Sequence, residues 1–592
     1  MRSIIAQVAM THFGLFAVVF TPLLVLLLMP FARLRPLAVR LTPYTALPAL
    51  VLSLSVREDF TLHVSWLLLG TDVGIDLVAR VFMFFSAWVW LAAGFFARRY
   101  VKGLLRHRFF LFYLVALSGN LGVIIAQDIV TFLLFFSMMS LASYALIVHR
   151  QNAEAIRAAR VYITLVILGE MVLFAGAVLA YHVTGTITLA AMTDALTGAA
   201  QRDLVMLLFF VGFGIKAGLV PLHIWLPLAH PAAPTPASAV LSAAMIKAGF
   251  LGWLRFLPVG KVGLPTWGLW CVILGLIAAF YGVLFGLPQK NPKAILAYSS
   301  ISQMGFLTLI LGMGMASPAT WPLALTALLI YAMHHALAKG ALFLSVGVSL
   351  EGMAQRWQRV LLGLGLIIPA LALAGAPWTS GAIAKGALKQ ALYETEALQG
   401  DWLIWLISFG AVGTSLLMAR FLYVLWPRHF RASASVEPAL WVPWALVVVS
   451  VVLVPWLTPW PELRHAALAA SQASLVWSSL WPVALAAALA YAFYHWRLAS
   501  PYRLAFNPPA GDLVVPVVGL LSLLLRSSQA FRAVVFRKWQ TLVDRSARLL
   551  QGPGAYAQIV NRLEAMLTNW TSGGFWVVLL GVLVFVALWL AS

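Results

Sequence analysis

Four lysines and a glutamate stand inside long apolar runs. Glu170 lies in YITLVILGEMVLFAG, Lys216 and Lys247 lie between Gly212 and Phe256, Lys339 in LLIYAMHHALAKGALFLSVGV, and Lys385 in GLIIPALALAGAPWTSGAIAKGALKQAL. An ionised lysine at the middle of a bilayer costs roughly 2.5–3.5 kcal/mol on insertion scales, so a charge kept there is a candidate functional group by default. His335 precedes Lys339 by one helical turn and shares its face, whereas His334 points about 100° away. Two titratable groups on one face of an apolar helix can pass a proton where water bridges them. An isolated carboxylate in such a place neutralises itself unless a cation is near. Lys216 is the expected partner of Glu170; the alternative is that Glu170 bonds a neighbouring helix as a neutral acid.

The elements that must carry these groups are interrupted. Pro221 follows Lys216, with Gly214 and Gly218 beside it, and prolines recur at 227, 231, 234 and 236. No continuous helix survives that series. A membrane tolerates such freed backbone only inside protein or beside water. Ser238 or Thr235 is placed to cap the helix that follows. His223 and His230 fall in the Pro-rich stretch, as proton relays or as structural side chains. The run before Lys385 repeats the pattern with Pro369, Gly375, Pro377 and Gly381. Interrupted segments at corresponding places in two halves point to a transport site. The expected halves are 108–258 and 259–430, the second also holding Arg420, and they are read as inverted five-helix repeats.

The whole chain fits that setting. Of 592 residues, 62% are hydrophobic and only 10% charged, with mean hydropathy +0.95. Repeated apolar runs of about 20 residues are long enough to span a bilayer. Spans are expected near 4–30, 41–56, 77–96, 108–126, 129–148, 159–181, 203–222, 236–257, 264–287, 294–315, 319–349, 361–392, 402–426, 438–458, 478–496 and 573–591. The net charge of +21 would suggest nucleic acid in a soluble protein. Here the basic residues follow topology instead. With the N-terminus outside, Arg33, Arg98, Arg99, Arg106, Arg150, Arg157, Lys290, Lys293, Arg356 and Arg428 all fall in inner loops, as the positive-inside rule requires. No nucleic-acid partner is expected. The N-terminus, apolar and without a clear cleavage site, reads as a first helix and not as a removed signal.

Cys271 is the single cysteine, which excludes a disulfide framework and any multi-cysteine metal or iron–sulfur site in this chain. With no P-loop and no dinucleotide fingerprint either, no cofactor site and no catalytic centre are expected here. Residues 57–76 are polar enough for an outer segment, in which HVSWLLLG and GTDVG can form a small hairpin. The remaining organisation is read as 1–107, the first three helices; 431–500, two further helices; 501–572, an amphipathic region with charges at helical spacing over 512–567; and 573–592, a last span. The amphipathic part suits a helix lying at the membrane surface or along neighbouring helices.

The motifs KAGLVPLHIWLPLAHPAAPTPASAVLSAAMIKAG, KAILAYSSISQMGF and HHALAKGALFLSVG resemble the antiporter-like subunits of the respiratory complex I superfamily. AHPAAP and the chain length most resemble the large membrane subunit of group 4 hydrogenases, of the formate hydrogenlyase and hydrogenase-4 type, with the Mrp cation/proton antiporters as near relatives. The resemblance implies an all-α polytopic fold of about fourteen core helices, with helices seven and twelve broken. It also implies a lateral helix and one or two further spans. It places Lys216, Lys247, His335, Lys339 and Lys385 on a central proton axis. The family acid of helix five is replaced at Ser137, and Glu170 on helix six falls where many distal-type members carry an acid. The resemblance further implies a bacterial or archaeal cytoplasmic membrane. It implies partner membrane subunits, reached through the lateral helix, and iron–sulfur and other redox cofactors held by partners. The function expected is proton translocation in a redox-driven complex. The alternatives are an Mrp-type sodium/proton antiporter subunit and a non-pumping scaffold.

Overall fold

The computed structural model describes residues 2–67, 70–350, 355–395, 398, 400–426, 438–469, 473–499 and 511. The expected amphipathic helix over 512–567 and the last span lie outside the described residues. The chain opens with α1 (Arg2–Leu26), α2 (Arg35–Leu41), a short 3-10 turn and α3 (Leu47–Ser55). Strands β1 (Phe60–Val64) and β2 (Thr71–Ile75) pair antiparallel, with Phe60 opposite Ile75 and Val64 opposite Thr71. A hairpin therefore forms, although its first strand lies upstream of the expected HVSWLLLG.

Asp76 then caps α4 (Leu77–Tyr100), its carboxylate accepting from the Ala79 N–H at 2.8 Å. After α5 (Arg106–Ile125), Asp128 caps α6 (Ile129–Ile147) in the same way. The second oxygen of Asp128 accepts from the Asp72 N–H at 2.9 Å and so ties the hairpin to this helix. Asn152 caps α7 (Ala153–Thr184), which leads through α8 (Leu189–Leu196) to the interrupted region. There α9 (Arg202–Ala217) stops, the chain runs irregularly, and α10 (Trp225–Ala232) and α11 (Thr235–Val240) follow. A π turn over Leu241–Met245 joins α11 to α12 (Ile246–Phe256). Helices α13 (Pro265–Gly286), α14 (Pro292–Ala316) and α15 (Trp321–Leu350) come next. The expected twelfth span is two helices, α16 (Arg356–Ala374) and α17 (Ser380–Tyr393), and α18 (Asp401–Leu425), α19 (Pro438–Leu457), α20 (Pro461–Ala469) and α21 (Ala473–Ala499) complete the described chain.

Among the described residues, 13 helical segments are long and apolar enough to cross a membrane. The interrupted pair α9 and α10 falls outside that count because neither half reaches the length. The fold is all-α and polytopic, as expected. Its helices are not equally enclosed. Helix α7 turns Ile167, Leu168, Phe174 and Tyr181 outward, as a lipid-facing helix does. The central stretches of helices α14 and α15 are enclosed by their neighbours, and α15 packs against α4, α11, α14, α16, α17 and α19. Helix α14 also approaches α13 so closely that a Cβ at Gly275 would lie 2.5 Å from the Gly305 carbonyl oxygen. Small residues permit that approach. His334, His335 and Lys339 of α15 therefore have protein, and not lipid, on every side.

Candidate functional site

Lys216 sits in the last turn of α9. Gly218 follows with φ 73°, a left-handed geometry that ends the helix and suits glycine. The released Ile215 carbonyl accepts from the Trp225 indole N–H at 2.7 Å. The Lys216 side chain is 3% exposed. Its amine donates to the Ser140 hydroxyl at 3.1 Å and to the Tyr162 hydroxyl at 2.9 Å, and Tyr162 in turn donates to the Ser140 carbonyl at 2.9 Å. The Tyr162 and Phe136 ring centroids lie 5.3 and 5.9 Å from the amine, which adds cation–π attraction.

A cavity bordered by Phe136, Ser140, Val166, Glu170, Lys216 and Trp225 connects this amine to Glu170. The carboxylate interacts with the Ser137 hydroxyl and with the charge of Lys216, yet its Oε1 is buried without a hydrogen-bond partner. The structure thus brings Glu170, Ser137 and Lys216 together without a closed ion pair, and the direct partners of the amine are hydroxyls.

Lys247 follows the π turn, a device that widens a helix and recurs at functional sites. Its amine reaches back to the Ser242 carbonyl at 2.8 Å, and the Ser242 hydroxyl meets that of Ser300 on α14 at 2.9 Å. Lys247 also faces the charge of Lys339. Lys339 is 0% exposed and donates to the Leu296 carbonyl at 2.7 Å. His335 feels Lys247, Lys339 and His334, and both its ring nitrogens are buried and unpartnered. His334, off the Lys339 face, bonds the Ser380 hydroxyl at 2.8 Å and feels Lys385. Lys385 closes the series. Its amine donates to Leu373 and Ala374 carbonyls, at 3.2 and 2.6 Å, at the end of α16. Gly375, at φ 84°, turns the chain there, and a cation is favoured at that helix end.

The remaining candidates separate. His230 is fully enclosed by protein. It stacks on Phe343 at 4.7 Å, senses Lys339, Lys293 and Lys247, and has both nitrogens unpartnered. His223 is equally enclosed but packs on Tyr281 of α13, at 4.8 Å. Arg420 lies apart, donating to the Gln289 carbonyl at 3.0 Å beside Tyr423. Neither expected cap holds, since the N-cap of α11 is Pro234. The Ser238 hydroxyl instead donates to the His230 carbonyl at 2.9 Å, the group whose helical partner would be the absent N–H of Pro234. Thr235 bonds Tyr100.

Lys293 is a correction. It was expected in an inner loop, but it is 4% exposed, and its amine donates to the Ala233 carbonyl at 2.8 Å and the Ser238 hydroxyl at 3.2 Å. Pro292, a favoured first residue of a helix, was the signal that Lys293 begins α14 and does not end a loop. Tyr162, Ser140 and Ser242 also escaped sequence reasoning, because single hydroxyls in apolar runs are common. Among the described residues, no group of three or more His, Cys, Asp or Glu side chains could hold a metal ion.

Two interrupted helices thus flank enclosed lysines and histidines, the arrangement expected of an antiporter-like membrane subunit. Residues 126–417, just under half of the chain, match the family described as NADH:quinone oxidoreductase/Mrp antiporter, TM. The chain is 30% identical over 300 residues to hydrogenase-4 component B of Escherichia coli (strain K12), covering 49% of this chain and 44% of that protein. It is also 30% identical over 383 residues to a protein named as antiporter subunit mnhA2 of Staphylococcus aureus (strain MRSA252), covering 60% of this chain and 48% of that one. The chain thus spans about half the length of the curated relatives it matches. Among solved structures, it resembles the Mrp complex from Dietzia sp. DQ12-45-1b, with TM-score 0.73 and 21% identity over 93% of this chain and 64% of that one. It also resembles the membrane-bound sulfane sulfur reductase, an archaeal respiratory membrane complex, with TM-score 0.63 and 23% identity over 80% of this chain and 98% of that one. These structural likenesses carry the fold.

Proposed function

We propose that this chain moves protons across the membrane through Glu170, Lys216, Lys247, His335, Lys339 and Lys385, as one subunit of a larger redox-driven membrane assembly. The observation that carries the proposal is the set Lys247, Lys339, His335, His334 and Lys385, all enclosed in protein, with each amine held on a backbone carbonyl and His334 bonded to Ser380 on the helix that carries Lys385. A proton arriving on one member changes the field at its neighbour, so a charge change at one end is felt along the row. One charge crossing 100 mV is worth about 2.3 kcal/mol, an amount that such coupling can supply. His230 and Lys293 extend the row from Lys339 toward Arg150, whose charge Lys293 senses. In this reading that branch opens to the basic inner side, the N-terminus lies outside, and iron–sulfur and other redox cofactors reside in partner subunits. Relatives named as parts of a hydrogenase and of respiratory and Mrp complexes support the assembly.

A sodium/proton antiporter is the second reading, favoured by the likeness to mnhA2 over 60% of the chain. Sodium needs oxygen ligands. The inward carbonyls of Ser242, Leu296, Leu373 and Ala374 already hold lysine amines, which favours protons. The test is Lys216→Ala in the native complex reconstituted in liposomes. Proton movement should be lost with assembly intact; a normal proton yield would refute the axis, and a yield that requires Na⁺ would favour the second reading.

A further inference from the structure

The first half of the row holds more acceptors for its lysine than it uses at once. The Lys216 amine is satisfied by Ser140 on α6 and Tyr162 on α7. Across the same cavity stands Glu170, also on α7, with its Oε1 buried and unpartnered. Glycines clear the intervening wall: Gly169 and Gly212 face each other, and a Cβ at Gly212 would lie 3.2 Å from the Gly169 carbonyl oxygen. A lysine side chain has four rotatable carbons, and the other walls are the apolar Phe136 and Val166.

We propose that the Lys216 amine has two seats in this cavity, the observed one on Ser140 and Tyr162 and a second on Glu170. Tyr162 is the positioning residue that divides the amine between them. This rests on the proton-translocation reading and deepens it. On the hydroxyls, the amine leaves Glu170 without its counter-ion; on Glu170, it gives up the Tyr162 and Ser140 oxygens. The exchange moves one positive charge across the cavity between α6 and α7, and no bond beyond hydrogen bonds is made or broken. It also accounts for an acid on helix six with Ser137 at the helix-five position. The amine then has two acceptor sets at one cavity, where a single acid within hydrogen-bond reach would hold it permanently.

The experiment uses the full-length chain in its native membrane complex. Tyr162→Phe keeps the ring and removes the oxygen. A hydrogen bond to a charged group is strong enough that its loss should change the ratio of the two seats by about 10- to 100-fold. The readouts are the infrared carboxyl band of Glu170, assigned by Glu170→Gln, and the pH profile of proton movement. Both should move in Tyr162→Phe. A purely structural tyrosine would lower the amount of complex without moving the band. Should Tyr162→Phe fail to assemble, Ser140→Ala removes the other oxygen of the same seat and must move the band. An unchanged band and profile, with Lys216→Ala inactive, would overturn the two-seat proposal and leave the axis standing. An active Lys216→Ala would overturn both.

Discussion

Lys339→Met separates function from stability at the centre of the molecule. The substitution keeps an unbranched side chain of similar length and removes the charge. The Leu296 carbonyl that receives the amine at 2.7 Å also accepts from the Ser300 hydroxyl at 3.1 Å, so it is not orphaned by the change. Replacing a buried charge with an apolar group of similar volume is neutral to stabilising when no partner is left unpaired. The thermal midpoint of the complex should therefore hold or rise. Transport should not survive. A proton that can no longer rest on Lys339 loses one of the two lysine seats that face His335. Holding the charge in protein without that seat, at roughly the 2.5–3.5 kcal/mol of an unsupported charge on insertion scales, adds to the barrier and slows transfer about 100-fold. A pH-sensitive dye in vesicles holding the native complex measures the rate, and a melting curve on the same preparation measures stability. Transport within twofold of the parent would refute the row. A midpoint drop of many degrees would refute the claim that Ser300 compensates.

Lys385→Met should behave in the opposite way on stability. It strips the Leu373 and Ala374 carbonyls of their amine, and the helical partner of Leu373 would be residue 377, a proline without an N–H. One or two orphaned carbonyls cost about 2–4 kcal/mol, visible as a lower melting midpoint beside the loss of transport. Asp76 provides a pH test outside the spans. Burial works against its charged form, but the charge and hydrogen bonds of Arg255, at 2.5 and 2.9 Å, and the Ala79 N–H outweigh it and hold the carboxyl below its ordinary 3.8. A lowered folded value stabilises at pH above the ordinary value and is lost as pH falls through the folded one. Asp76→Asn should thus cost about 1–3 kcal/mol at neutral pH, and the two melting curves should converge as pH drops below about 4; a constant difference down to pH 3 would exclude the pair as the cause.

What the sequence made legible was charge against an apolar background and breakers inside spans. Lys216, Lys247, Lys339 and Lys385 stand out because lipid penalises them, and Gly218, Pro221, Gly375 and Pro377 mark both interruptions because no helix continues through them. Pairing was not legible. Glu170 and Lys216 were matched as the nearest opposite charges in an apolar stretch, but whether their atoms meet depends on side-chain geometry, and hydroxyls of Ser140 and Tyr162 reach the amine first. The seat of Lys247 was equally hidden: the π turn that brings its amine back to the Ser242 carbonyl leaves no mark in the sequence pattern. Lys293 was misplaced because Lys290 and Asn291 give its surroundings the look of a loop, although one more turn of α14 carries it into protein.

A single physical device recurs at these lysines. Three interruptions free carbonyls that enclosed amines take up: Lys385 at the end of α16, Lys247 at the π turn, and Lys293 at the Ala233 carbonyl between α10 and α11. An amine on a carbonyl can give its proton to a neighbour and remain hydrogen-bonded through its other N–H groups, whereas a metal cation that leaves a carbonyl leaves it bare. Broken helices in this chain therefore do more than make room for water. They supply neutral acceptors that hold Lys385, Lys247 and Lys293 in place whether or not each is charged, which a carboxylate partner would not do. That is the physical reason a row with a single acid, Glu170, can still carry protons. It also explains why Lys216, whose amine is seated on hydroxyls without a carbonyl, has an acid within its own cavity.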